Sequence, residues 1–194
     1  AVGENIYSSP LAGNSWTKLT NTAQPYLERY CFDGTNIFAS QGGNVGVQLF
    51  KFSIGGSNWT NVTNNLVDGY TDHVFNIGTT IFISKDGVLY KSTNSGTTWQ
   101  NTGNTGMSSL FNYSILADGQ NIISGGYQNI YRSTDNGLTW AISTPSFPYL
   151  DIYDVYKFGS NIFASTDGDG VFKSTDNGVT WGNQALFGTS QYRF

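Results

Sequence analysis

The chain has 194 residues, with 9 Lys and Arg against 13 Asp and Glu, so its formal net charge is −4 and only 11% of its residues are charged. Its scattered basic residues form no cluster able to neutralise a run of phosphates, which excludes a nucleic-acid groove, and no apolar run approaches the ~18 residues of a membrane-spanning helix. With 24 Gly, 5 Trp, 12 Tyr and 13 Phe, the composition argues against disorder and amphipathic helices and for short strands joined by tight turns.

In chain order, NIYSSPLAGNSW (5–16) aligns without gaps onto NIYRSTDNGLTW (129–140). The chain therefore opens on the third strand of a repeat and the hairpin that follows it. An inner strand then leads to Gly34, a second strand follows in GTNIFAS (34–40), and FSIGGSNW (52–59) ends on Trp59. The same succession returns as GTTIFIS (78–84), LYKST (89–93) and STNSGTTW (92–99), then as GQNIISG (119–125), IYRST (130–134) and STDNGLTW (133–140). It returns again as GSNIFAS (159–165), VFKST (171–175) and STDNGVTW (174–181). All five tryptophans, Trp16, Trp59, Trp99, Trp140 and Trp181, end such an octapeptide, at spacings of 43, 40, 41 and 41 residues. A fixed period of this size is the mark of a repeat architecture. The alternation of apolar and polar residues in each third strand is that of a half-buried strand.

Four short antiparallel strands in about 41 residues make the blade of a propeller. The closing SQYRF (190–194) resembles DVYKF (154–158), the inner strand before Gly159. The expectation is an all-β, five-bladed β-propeller forming a single domain over 1–194, the competing reading being a fragment of a longer array with six or more blades. Its units are 17–59, 60–99, 100–140 and 141–181, and a seam blade is stitched from 182–194 and 1–16. Such a seam closes the ring and removes exposed sheet edges.

The octapeptides resemble the Asp-box, the bacterial neuraminidase repeat of sialidase-like propellers, whose pattern is Ser-x-Asp-x-Gly-x-Thr-Trp. The match holds for Ser133, Asp135, Gly137, Thr139 and Trp140, and for Ser174, Asp176, Gly178, Thr180 and Trp181. In the copy with Ser92, Gly96 and Trp99 the acid is Asn94, and in the two earlier copies Leu11 and Ile54 stand in its place. The residue types suit a hairpin: Ser and Asp bond turn backbone, Gly takes positive φ, and Trp anchors the turn from beneath. These residues are read as structural.

The resemblance also raises sialidase chemistry, which uses three arginines to clamp a carboxylate, a Tyr assisted by a Glu, and an acid-base Asp. The chain has only Arg29, Arg132 and Arg193, and Arg132 precedes an octapeptide instead of joining a clamp. A glycoside hydrolase needs two carboxylates flanking one bond, and Glu28 with Asp72 is the one pair worth testing. No catalytic residue is assigned, and the chain is read as a non-enzyme.

Ligand-binding candidates come from two places. Two residues per repeat, six and five before the turn Gly, should border a channel mouth: Glu28 and Arg29, Asp72 and His73, Tyr113 and Ser114, Tyr153 and Asp154, with Thr189 and Ser190 as the seam equivalents. Links between repeats add rings at Tyr26, Tyr70, Phe111, Phe147 and Tyr149, which serve either as sugar platforms or as plugs between blades. The DGTN, IGTT, DGQN and FGSN turns should lie at the same end as the octapeptides, leaving the more variable loops at the other end for recognition.

No cofactor is expected, and no metal site: DGDG (167–170) resembles part of a calcium loop but lacks the remaining oxygen ligands and the terminal Glu. Cys31 is a lone thiol in YCF with no His nearby, read as packing. The opening AVGENIYSS lacks the basic and apolar regions of a signal peptide. The reading is an extracellular or cell-surface recognition module for a glycan or protein ligand, monomeric or part of a larger chain, with carbohydrate the leading class. The alternative is a protein-interaction scaffold or an array unit of a surface protein.

Overall fold

The computed structural model of the chain describes residues 7–18, 27–41, 48–66, 69, 71–103, 112–143, 150–168 and 170–184, with the side chains of Asn112, Tyr113, Asn183 and Gln184 left aside. All regular structure among them is strand. The first two strands, β1 (Tyr7–Ser8) and β2 (Thr17–Lys18), form a hairpin. Four antiparallel sheets follow, each with its strands side by side in chain order. They are β3 (Leu27–Phe32), β4 (Asn36–Gln41), β5 (Leu49–Ser53) and β6 (Trp59–Asn61); then β7 (Thr71–Ile77), β8 (Thr80–Lys85), β9 (Val88–Ser92) and β10 (Gln100–Asn101). The third comprises β11 (Asn112–Asp118), β12 (Asn121–Gly126), β13 (Ile130–Ser133) and β14 (Ala141–Ile142); the fourth, β15 (Ile152–Phe158), β16 (Asn161–Thr166), β17 (Val171–Ser174) and β18 (Gly182–Gln184).

The four-stranded repeat read from the sequence is thus present four times. Each sheet runs a few residues past its Trp, because the strand that starts there pairs back on the third strand, as in Phe52 with Trp59 and Lys91 with Gln100. Of the expected fifth copy the described residues hold only the two-stranded β1–β2 hairpin; its expected inner strand, 190–194, lies outside them.

By internal contacts the chain divides into two units, Ala1–Lys85 with Tyr90–Asn101, and Asp86–Leu89 with Thr102–Phe194. In the first unit, Phe38, Leu49, Val62 and Leu66 meet Val74, Ile81, Ile83 and Trp99 in one buried cluster. A second cluster, Leu27, Ala39, Phe50, Phe52 and Trp59, fills the other side of the β3–β6 sheet. In the second unit, Ile123 and Ile130 pack with Ile152, Val155, Ile162, Ala164, Phe172 and Trp181. Burying each such aliphatic side chain contributes about 1.5–3 kcal/mol. Gly125 shows how close the two sheets of this unit approach: a Cβ there would stand 2.6 Å from Ile152 Cγ2, which is why this repeat has Gly where Ser40, Ser84 and Ser165 stand in the others.

The octapeptide turns follow from their side chains. Ser133 Oγ accepts from the Gly137 amide at 2.8 Å and donates to Asp135 Oδ1 at 2.8 Å, while Asp135 Oδ1 accepts from the Thr139 amide at 2.9 Å. Ser174, Asp176, Gly178 and Thr180 repeat the pattern. In both, the Thr hydroxyl donates to the second Asp oxygen. Where Asn94 replaces the acid, the scheme survives with that bond reversed: Asn94 Nδ2 donates to Thr98 Oγ1 at 2.9 Å. The Ser or Asn before each Gly and the Gly itself both have positive φ, 53–57° for the first and 81° for the second.

Four indoles are buried under their turns, Trp59, Trp99, Trp140 and Trp181, with 4–9% of their surface accessible. Trp16 departs from the expected anchor role and is 68% exposed. The short β1–β2 hairpin offers it no sheet face among the described residues. The two turns of each meander do share one end, as expected: Ile54 donates to Thr35 O, and Asn136 donates to Gln120 O. Cys31 is half-buried, and burial, followed by the charge of Asp33, pushes its thiol up to about 12, which makes it inert.

Candidate functional site

In an ideal antiparallel pair every residue has one partner. All four inner strands break that rule at the same place. Leu27 pairs with Gln41 and Arg29 with Ser40, leaving Glu28 as a bulge. Thr71 pairs with Lys85 and His73 with Ser84, leaving Asp72. Asn112 and Ser114 oppose Gly126 and Gly125 across Tyr113, and Ile152 and Asp154 oppose Thr166 and Ser165 across Tyr153. The residue six before the turn Gly is the bulged one in every case, and the residue five before it resumes the ladder. Bulges re-aim side chains and recur beside binding sites.

The candidate pairs differ in environment. Glu28 and Arg29 are exposed on β3; Asp72 and His73 are half-buried on β7. Ser84 donates a long 3.4 Å hydrogen bond to Asp72 Oδ2. In the second unit Ser114 is buried and Asp154 exposed, and the two are joined: Ser114 Oγ donates to Asp154 Oδ1 at 2.8 Å and accepts from the Val155 amide at 2.9 Å. The Val155 amide also reaches Asp154 Oδ1 at 2.8 Å. This ties the bulge of one repeat to that of the next and fixes one oxygen of the exposed carboxylate. Tyr153 stands half-buried beside it. Tyr26, Tyr70, Phe111, Phe147, Tyr149, Thr189 and Ser190 lie outside the described residues, as does the side chain of Tyr113.

Ser92, Gly96, Trp99, Ser133, Asp135, Gly137, Trp140, Ser174, Asp176, Gly178 and Trp181 serve the turns. Asp176 is held down to about 2, first by the Thr180 hydroxyl and then by the Thr180 amide. At Asp135 partial burial pushes upward but is outweighed by bonds from Thr139 and Ser133, so its carboxyl also lies below the usual range. Arg132 is likewise committed to structure: its Nε donates to Asn177 O at 2.8 Å and its Nη2 to Asn121 Oδ1 at 3.2 Å. Among the described residues no three His, Cys, Asp or Glu side chains gather into a metal-binding group.

Reading the sequence missed the bulges. Their signal was present as two adjacent polar or aromatic residues that interrupt strand alternation at one fixed distance before each Gly. It also missed Asn64, Asn65 and Ser143, which fasten neighbouring sheets and lie in the variable links.

Comparison with solved structures gives likenesses of fold. A structure titled YCF48 bound to D1 peptide is 13% identical at a TM-score of 0.66, covering 93% of this chain and 61% of that one. YCF48 from Cyanidioschyzon merolae is 16% identical at 0.68, covering 89% of this chain and 61% of that one. A GH74 xyloglucanase from Xanthomonas campestris is 13% identical at 0.70, covering 96% of this chain and 35% of the enzyme. The extracellular domain of a hybrid two-component system from B. thetaiotaomicron is 13% identical at 0.66, covering 88% of this chain and 24% of that one. No family model and no curated protein matches the chain.

By fold, the protein is of the β-propeller class: all its described regular structure is strand, arranged as repeated four-stranded antiparallel sheets like those of these structures. The chain spans about three fifths of the YCF48 chains, 35% of the xyloglucanase and 24% of the two-component-system domain.

Proposed function

We propose that the chain is a non-catalytic, extracellular recognition module of the Asp-box propeller kind. Its ligand is held at the bulged ends of the inner strands, and a carbohydrate is the leading class. The observation that carries this reading is the bulge repeated in register four times, at positions whose side chains vary from repeat to repeat while the turns at the opposite end stay alike. A constant frame with variable re-aimed residues is the arrangement of a binding face. The exposed Asp154 side chain and the half-buried Tyr153 next to it in the chain suit hydroxyl recognition and stacking.

The module is proposed to have five blades, the β1–β2 hairpin supplying the outer strands of the fifth. Supporting this, one inner strand of each unit carries exposed aromatic side chains, Tyr30 and Phe32 on β3 and Tyr156 and Phe158 on β15. Each is suited to take another sheet of the same repeat.

The test is a glycan array followed by isothermal titration. Tyr153→Ala and Asp154→Ala should lower the affinity for any glycan retained by about tenfold each, the loss expected for a stacked ring or a charged hydrogen bond. Absence of glycan binding, or silent variants, would reject the carbohydrate reading. A second reading, a protein-interaction scaffold, is favoured by the likeness to a YCF48 solved with a bound peptide. Peptide capture lost on the same substitutions would select it. Hydrolysis of a glycan that stops in Glu28→Gln or Asp72→Asn would instead make the chain an enzyme.

A further inference from the structure

Both octapeptides that keep the acid contain Asn-Gly, Asn136–Gly137 and Asn177–Gly178. In flexible peptides this dipeptide is the fastest to deamidate. The backbone nitrogen of Gly, after losing its proton, attacks the Asn side-chain carbonyl carbon. The new C–N bond closes a succinimide and ammonia leaves; water then opens the ring to aspartate or isoaspartate. Isoaspartate adds a methylene to the backbone, which these hairpins cannot accommodate: the Asn and Gly sit at φ 57° and 81° in one and 56° and 81° in the other.

In the folded chain the attacking nitrogen is occupied. The Gly137 amide donates to Ser133 Oγ and the Gly178 amide to Ser174 Oγ, each at 2.8 Å, and each serine hydroxyl is itself held by donating to the Asp two residues on. Both glycines are buried, and the space beside them is filled by Leu89 in one turn and Ile123 in the other. The Asn side chains have no hydrogen-bond partner among the described residues, so neither is held back by its own bonds. Asn136 is half-buried and Asn177 exposed. The third copy has Ser95 before Gly96 and so contains no Asn-Gly pair; its Asn94 precedes Ser95, and its side chain is bonded to Thr98.

We propose that Asn136 and Asn177 are two latent deamidation sites, guarded by the Ser133 and Ser174 hydroxyls and opened when their hairpins unfold. The serine therefore shapes the turn and also keeps it chemically intact.

The experiment is peptide mapping by mass spectrometry, with isoaspartate detection, after incubation of the folded chain at mildly alkaline pH beside the free peptides STDNGLT and STDNGVT. Both sites in the folded chain should react at least about tenfold more slowly than in the peptides, since reaction then requires local opening. Ser133→Ala should raise the rate at Asn136 about fivefold, the equivalent of one lost hydrogen bond, and leave Asn177 unchanged; Ser174→Ala should do the reverse. Equal rates in chain and peptide, or a folded Ser133→Ala chain with an unchanged Asn136, would overturn the proposal. Hydrogen exchange of the Gly137 and Gly178 amides in the unaltered chain decides the matter if a variant fails to fold. Strong protection upholds the proposal, and exchange at the peptide rate rejects it.

Discussion

The two units are built from the same repeat, yet they fasten their sheets together differently. In the first, the link after β6 provides the fastening: Asn64 Nδ2 donates to Gly96 O at 2.6 Å, and Asn65 bonds both the amide and the carbonyl of Trp99, as a neighbouring strand would. The Trp99 indole then donates to Val62 O at 2.9 Å. In the second, the bonds come largely from strand residues: Arg132 to Asn177 O, Ser114 to Asp154, and the Lys157–Asp118 ion pair, with Ser143 Oγ donating to Gly178 O at 2.6 Å from the link. The indoles differ too. Trp140 bonds its own turn at Gly137 O, and Trp181 Nε1 is buried with no acceptor among the described residues. The hairpin chemistry is copied faithfully; the chemistry between sheets is improvised repeat by repeat, because it depends on whatever the variable links bring alongside.

The largest effect should come from the turn glycines. Gly137→Ala and Gly178→Ala place a Cβ 2.4 Å from Leu89 Cδ2 and 2.5 Å from Ile123 Cδ1 at a φ of 81°. Each should cost roughly 2–4 kcal/mol in urea denaturation, from left-handed strain plus overpacking. Gly96→Ala, facing Val62 at 3.0 Å, should cost less, and Gly159→Ala, with open space around it, about 1 kcal/mol. Equal costs at all four would show that backbone conformation alone matters.

Next, Asn65→Ala should remove about 1–3 kcal/mol by stranding the Trp99 backbone groups, against about 1 kcal/mol for Ser143→Ala in the second unit. Chemical denaturation followed by Trp fluorescence would measure both, and a reversed order would refute the contrast between link-borne and strand-borne fastening.

Acid should weaken the second unit more than the first, since two of its carboxyls, Asp135 and Asp176, are held below the usual range against one in the first, Asp33 in the turn before β4. Both carboxyls of the second unit are depressed in the folded chain, Asp176 to about 2. Their stabilisation is therefore complete above the unfolded value of about 3.9 and is lost as pH falls from there towards 2. The effect is modest because Asp176 is exposed and Asp135 only half-buried. Asp176→Asn should flatten the fall in Tm between pH 4 and 2 (roughly the window set by these values), and Asn94→Asp should steepen it. The smallest effect is expected for Lys157→Ala, about 0–1 kcal/mol, because its ion pair with Asp118 is largely solvated.

The octapeptide hairpins, the number of strands per repeat and the burial of four tryptophans were all legible in the residues. The hydrogen bonds that make an octapeptide turn run between side chains and backbone at most four residues apart, so eight letters suffice to specify it. The position of the candidate site was legible as well, through the fixed distance before each turn Gly. What it consists of was not: neither the bulge nor the Ser114–Asp154 bond follows from strand alternation.

The amino-acid sequence alone determined the repeat and its local turns, because those depend on neighbours along the chain. Tertiary structure decided the bulges, the need for Gly at 125, the Asn65 and Ser143 fastenings and the exposure of Trp16. Each of these is set by residues a dozen to forty positions away, or by the absence of any such neighbour, and depends on how one sheet settles against the next.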